Sequence, residues 1–202
     1  MFTQRCKDAK NSGVENDLLI VTTAAGYRIR KIMSLKIKNL TSQDCAVIAE
    51  AFACQGWNKP VEQYVRVLEE VADGLLQVLV AELDGEFAGY LNIVWTSPYP
   101  PFRDRSAPEI ADLNVLIEFR RLGVATRLMD DAESLISQRT NTVGIRVGLT
   151  ADYGPAHRLY VRRGYVPDGF GLCYGGRPLR YGDKAKVDDE LTLGFTKKVR
   201  ST

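Results

Sequence analysis

The chain is 202 residues long, 45% hydrophobic, and carries a formal net charge of +2. That length suits one domain plus an extension, and that composition suits a soluble globular protein with a sizeable core. No apolar run reaches the roughly 18–20 residues that a membrane span needs, and Leu18–Tyr27 lacks the basic start and small-residue cleavage site of a signal peptide.

Residues 1–32 show no sustained period. They hold six Lys/Arg and three Asp/Glu, a net +3, which leaves −1 for the rest of the chain. The mild basicity therefore belongs to this leader, and nucleic-acid binding is not expected. The leader reads either as a flexible extension or as the product of an upstream start, with Met33 the true one. The second reading is preferred, because the domain pattern begins just after Met33. One domain is expected over residues 33–202.

Leu35, Ile37 and Leu40 then predict a short strand, with Thr41 or Ser42 capping a helix over Ser42–Cys54. Pro60 suits the first residue of a second helix, with Val61, Tyr64, Val65, Leu68 and Val71/Ala72 as its buried stripe. Two strands follow around Asp84-Gly85, a strong hairpin signal. The Pro-rich segment Thr96–Glu109 reads as a loop. Glu109–Ile117 is an apolar strand, and Gly123–Ile136 a helix with Val124, Leu128, Ala132 and Leu135/Ile136 on one side. Val143, Ile145, Val147 and Leu149 alternate as a strand. A short helix starts near Pro155 and ends at Gly164, placed for a left-handed C-terminal residue. Further turns and strands close the chain. The order β-α-α-β-β-β-α-β-α-β-β predicts a mixed sheet with helices on its faces.

Cys6, Cys45, Cys54 and Cys173 form no C-x-x-C pair and have no ligand spacing with the lone His157. No metal site or disulfide framework is expected, and a reducing cytoplasm fits. His157 reads as a solvated helix residue rather than a catalytic one.

The stretch "RRLGVATRLM" carries the first chemical signal. Two arginines precede Gly123 and Ala125 where a helix begins, and small residues there let an anion reach free helix N–H groups. Arg120, Arg121 and Arg127 add positive charge, as do Arg158, Arg162 and Arg163 if their helix lies nearby. Neither G-x-x-x-x-G-K-[ST] nor a strand-linked G-x-G-x-x-G is present. A pyrophosphate held by the N–H groups of Arg121–Thr126 is the remaining reading.

The combination of motifs resembles the GNAT superfamily of acetyl-CoA-dependent N-acetyltransferases. "DLNV" (Asp112–Val115) matches the end of that family's fourth strand. Arg120, Gly123 and Ala125 match its [RQ]-x-x-G-x-[GA] loop. Ala156, Leu159, Tyr160, Gly164 and Tyr165 match its A-x-x-L-Y-x-x-x-G-[FY] segment. The resemblance covers about Met33 to Lys198. Two departures stand out: "LIEF" lacks the Pro that often follows the strand, and Tyr153 replaces an Asn that commonly contacts the cofactor. That Asn role is not carried over.

The resemblance implies an α/β fold with a mostly antiparallel sheet splayed between strands four and five, and acetyl-CoA as co-substrate without a metal. It implies Glu109 or Asp112 as general base, the Val115 N–H as oxyanion donor and Tyr160 as general acid. CoA would be held by Leu113, Asn114 and Val115, and by Arg120, Arg121, Leu122, Gly123, Val124, Ala125 and Thr126. In a regular strand Glu109 and Asp112 point to opposite faces; the family's strand-four bulge keeps both open. The loop bearing Trp95, Tyr99, Phe102, Arg103 and Arg105 either lines the acceptor site or is a connector, and the turns at "YGGRPLRYGD" raise the same choice. The expected acceptor is a small-molecule or peptide amine. Homodimers are frequent in the resembling family, so a homodimer is an expectation too. The rival functions are a non-catalytic acyl-CoA-binding or regulatory module on the same fold and a nucleotide-phosphate-binding domain unrelated to CoA.

Overall fold

The computed structural model describes residues 33–200, together with the backbone of 17–18, 21–22, 28–29 and 32. The expectation of a flexible leader or an upstream start falls on residues that lie mostly outside this set. Where the backbone is described there, Asp17–Leu18 pairs antiparallel with Ile32–Met33, and Val21–Thr22 with Arg28–Ile29.

The main sheet has eight strands. In chain order they are β1 (Leu35–Asn39), β2 (Leu76–Leu83), β3 (Glu86–Val94), β4 (Glu109–Val115), β5 (Thr142–Gly148), β6 (Val166–Tyr174), β7 (Arg177–Pro178) and β8 (Leu191–Lys198). The helices are α1 (Ser42–Cys54), α2 (Val61–Ala72), α3 (Pro100–Arg103), α4 (Val124–Ser137) and α5 (Gly154–Arg162). The strand order is β7-β6-β8-β5-β4-β3-β2-β1. β4 and β5 pair in parallel, with Glu109 opposite Gly144 and Ile110 opposite Ile145, while β1/β2, β5/β8, β6/β8 and β6/β7 are antiparallel. No helix among the described residues is long and apolar enough to cross a membrane.

The chain divides into two compact units, Met1–Asn92 with Asp112–Asp131, and Ile93–Ala111 with Ala132–Thr202. In the first unit, α1 begins at a reciprocal cap. The Asp44 carboxylate accepts from the Thr41 N–H (2.8 Å) and from the Thr41 hydroxyl (2.7 Å), so Thr41 rather than Ser42 is the cap. The β2–β3 hairpin turns at Asp84 and Gly85, with φ of 53° and 84°. Both lie in the left-handed region that a two-residue turn requires. Ile48, Phe52, Val80, Ala81, Leu91 and Tyr90 form the core of this unit. The predicted stripe of α2 needs correction. Tyr64 is buried, but Val61 and Val65 are exposed, and Pro60 caps the helix instead of opening it. Helical periodicity shows which face is apolar; whether another element covers it depends on tertiary packing.

In the second unit, the Pro-rich segment is not a plain loop. It contains the short helix α3, and Tyr99, Phe102 and Ala107 are buried together with Cys173. Phe102 takes space that a side chain on β5 would need: a Cβ on Gly144 would stand 2.5 Å from its ring. Tyr99 and Phe102 are therefore core pegs, whereas Arg103 and Arg105 are exposed. The short strand β7 was not foreseen either.

Candidate active site

The first unit holds the end of β4 and the start of α4. Asp112 sits inside β4 with φ 49°. A left-handed residue within a strand breaks the two-residue alternation and re-aims the side chains around it. Asp tolerates this conformation better than most residues. On the neighbouring strand, Gly89 makes room for the bend, because a Cβ there would lie 2.4 Å from the Asn114 carbonyl oxygen.

The Asp112 carboxylate is heavily engaged. The buried Tyr90 hydroxyl donates to Oδ2, Lys59 Nζ donates to Oδ1 at 3.2 Å, and Asn114 Nδ2 donates to Oδ1 at 2.5 Å. Its side chain is nevertheless 33% exposed. Burial, and then the Asp112 charge, push the Tyr90 hydroxyl far above the ordinary tyrosine range, so this phenol stays a donor. Lys59 also donates to Tyr90 Oη at 2.9 Å and stands 5.4 Å from the ring centres of Phe52 and Tyr90. Sequence reasoning missed Lys59, Tyr90 and Gly89. They lie 53, 22 and 25 positions before Asp112 or Asn114, and no local pattern links them.

After Val115 and Leu116 the chain makes one tight turn, Ile117–Phe119, and then runs through Arg120–Gly123 into α4. Arg121 (φ 68°) and Gly123 (φ 85°) are both left-handed. The Arg127 N–H bonds to the Gly123 carbonyl at 3.0 Å, which makes Gly123 the cap of α4. The N–H groups of Val124, Ala125 and Thr126 therefore have no intrahelical acceptor, and the helix dipole adds positive potential there. A Cβ on Gly123 would meet nothing within 4 Å. Backbone conformation, then, is what calls for glycine there.

The arginines are not equivalent. Arg120 Nε donates to the Val115 carbonyl at 3.3 Å, and its guanidinium lies 5.7 Å from the Trp57 ring centre. Arg121 is exposed. Arg127 faces Asp131 at 3.3 Å, and Arg163 faces Glu133 at 3.0 Å. These two charges are thus largely offset by carboxylates.

The second unit places the other expected residues. Glu109 is only 3% exposed. Ser97 Oγ donates to its Oε2 at 2.5 Å and Arg146 Nε to its Oε1 at 2.8 Å. The Arg146 guanidinium lies 5.4 Å from the Tyr99 ring centre, and the Tyr99 hydroxyl donates to Asp168 Oδ2 at 3.0 Å. Glu109 is therefore one member of a buried polar network. Tyr160 is 5% exposed, and burial, followed by the nearby Tyr153, raises its hydroxyl well above the usual tyrosine value. His157 is not solvated as expected: it is half-buried, with Nε2 2.8 Å from the Gly148 carbonyl oxygen. The Tyr153 ring covers Gly148, whose Cβ would stand 2.4 Å from it. Among the described residues no group of three His, Cys, Asp or Glu is placed to hold a metal ion.

The sequence model of the acetyltransferase (GNAT) family matches residues 45–165. No curated protein matches the chain. Among solved structures, a ribosomal-protein-alanine N-acetyltransferase from Brucella melitensis is 19% identical with a TM-score of 0.60, covering 81% of this chain and 99% of its own. An N-acetyltransferase from Staphylococcus aureus Mu50 is 14% identical with a TM-score of 0.61, covering 82% and 98%. A spermidine N-acetyltransferase chimera from Vibrio cholerae and hSSAT is 12% identical with a TM-score of 0.59, covering 81% and 95%. At these identities the likeness is one of fold.

Proposed function

This chain belongs to the acetyltransferase (GNAT) family, and from that premise we propose that it transfers acetyl from acetyl-CoA to a primary amine by direct attack. The observation that carries this reading is the start of α4. A left-handed glycine cap leaves the N–H groups of Val124–Thr126 without acceptors in their own helix, just after Arg120 and Arg121 in the chain. Such an arrangement fits a pyrophosphate. Leu113, Asn114 and Val115 are proposed to hold the CoA arm, with Arg120–Thr126 on the phosphates.

The amine must lose a proton before it attacks. A lysine-like amine with a pKa of about 10.4 costs about 4–5 kcal/mol to deprotonate at neutral pH. We assign that proton to Asp112. Both carboxylates are hydrogen-bonded at each oxygen, but Asp112 is 33% exposed whereas Glu109 is 3% exposed, so an incoming amine reaches Asp112 more readily. Glu109, the alternative base, is assigned to positioning β4. The Val115 N–H is proposed to donate to the oxyanion, a contribution on the order of 3 kcal/mol. Tyr160 is proposed to give its proton to the departing thiolate. Its burial and raised proton affinity keep it protonated until that moment. Cys45 and Cys173, both buried, are given no nucleophilic role.

Relatives of the same fold include enzymes named for ribosomal-protein alanine and for spermidine. The proposed acceptor is accordingly a peptide or small-molecule amine. A homodimer and a cytoplasmic setting complete the proposal. The test is free-thiol release from acetyl-CoA with a panel containing spermidine and Ala- and Ser-initiated peptides. Release that needs an amine and is lost in Tyr160→Phe supports it. CoA binding without release on any amine favours a binding module, and no CoA binding at all would overturn both.

A further inference from the structure

The geometry points to a binding site for a primary ammonium ion, formed by Asp112, Tyr90 and Phe52 and filled in this structure by the chain's own Lys59. Lys59 Nζ has every contact such an ion seeks. It is 3.2 Å from a carboxylate oxygen, 2.9 Å from a phenol oxygen, and 5.4 Å from each of two ring centres. The Tyr90 hydroxyl spends its proton on Asp112, so it turns a lone pair towards the ammonium.

The walls and the occupant differ in how they are held. Phe52 belongs to α1, Tyr90 to β3 and Asp112 to β4, and both rings are buried. Lys59 sits in the irregular connection between α1 and α2. Its side chain is 19% exposed and that of Asp112 33%, so water reaches the cage beside the lysine. One carboxylate balances one ammonium. A second cation gains the cage only by displacing the first, and Lys59 thereby acts as an internal competitor.

This deepens the acetyl-transfer reading, and rests on it for one point. If Asp112 takes the acceptor's proton, the acceptor arrives as a primary ammonium and seats itself on the group that will deprotonate it. The cage itself does not depend on that role.

The experiment titrates methylammonium chloride into the full chain, Lys59→Ala and Lys59→Ala/Asp112→Asn, following binding heat against a sodium chloride control. If Lys59 holds the cage for nine-tenths of the time or more, its removal tightens methylammonium binding about tenfold or more. Adding Asp112→Asn then abolishes the binding. Equal binding by the parent and Lys59→Ala would overturn the site, as would retention in the double variant. Should Lys59→Ala fail to fold, the unchanged chain still decides. With 13C-labelled lysine, the Lys59 Cε resonance must move towards the free-lysine position as methylammonium is added, and a stationary resonance refutes displacement. Methylammonium binding without thiol release on any amine would remove the transfer reading and leave the cage standing.

Discussion

Gly89 lies against the backbone of Asn114 so closely that a Cβ on it would stand 2.4 Å from the Asn114 carbonyl oxygen and 3.0 Å from the Val115 Cα. The obstructing atoms are main chain, which cannot rotate away as a side chain can. Gly89→Ala should therefore lower stability by about 1–3 kcal/mol, the usual cost of overpacking. It should also slow thiol release beyond what the loss of folded protein explains, because Asn114 and Val115 must shift. Urea unfolding and rates at a temperature where both proteins are folded check the two effects separately.

Asp112 and Glu109 should differ in how far loss of charge costs activity in the folded protein. Asp112→Asn is expected to reduce kcat by about 10²–10⁴, the range for a lost general base, even at a temperature where the variant is fully folded, although Lys59, 19% exposed, also loses its carboxylate and some stability goes with it. Glu109→Gln leaves the Arg146 guanidinium without its carboxylate, in a side chain only 22% exposed. About 3 kcal/mol of stability should go with it. Measuring kcat and unfolding on both variants separates catalysis from support. A stable, inactive Glu109→Gln would return the base role to Glu109.

Gly123 carries its own prediction. With φ 85° and nothing within 4 Å of where a methyl group would sit, Gly123→Ala meets backbone strain and no collision. The expected loss is about 1–2 kcal/mol, read by urea unfolding. Gly123→Val should cost more, and should raise the KM for acetyl-CoA about tenfold by crowding the helix N–H groups, with kcat less affected.

A pH dependence follows from Glu133. Although burial opposes ionisation, hydrogen bonds and charge from Arg163 (3.0 Å) and Lys197 (2.6 Å) hold its carboxyl below the usual glutamate value of 4.5. A depressed folded-state value means that the ion pairs contribute fully above the unfolded value, and that this contribution is lost as pH falls through the folded one. Stability should therefore decline below about pH 4.5, and Glu133→Gln should be less stable at neutral pH with a shallower acid decline. Thermal unfolding between about pH 3 and 7 tests this; parallel curves for the two proteins would refute it.

How much of this was legible in the sequence depends on range. The α1 boundaries and the Asp84-Gly85 turn were readable, because caps and left-handed turns are dictated within a few residues. The start of α4 just after a left-handed Gly123 was readable for the same reason. The cage around Lys59 was not, since its members come from α1, β3, β4 and the α1–α2 connection, and meet only when the sheet forms. The Pro-rich segment misled for a related reason. Its composition signals irregular backbone correctly but does not show that Tyr99 and Phe102 point inwards. The left-handed Asp112 had no local signature either, because Asp is common in turns and rare inside strands.

The seat that Phe102 takes against Gly144 bears on where the chain can be cut or lengthened. By composition, residues 96–108 look like the natural place to nick the protein or graft a tag, yet their aromatic anchors are as buried as any strand residue. The tolerant site should be residues 181–187, where every residue is exposed and Tyr181 stands clear of the surface. Limited trypsin digestion should open the chain at Lys184 or Lys186 long before Arg103 or Arg105.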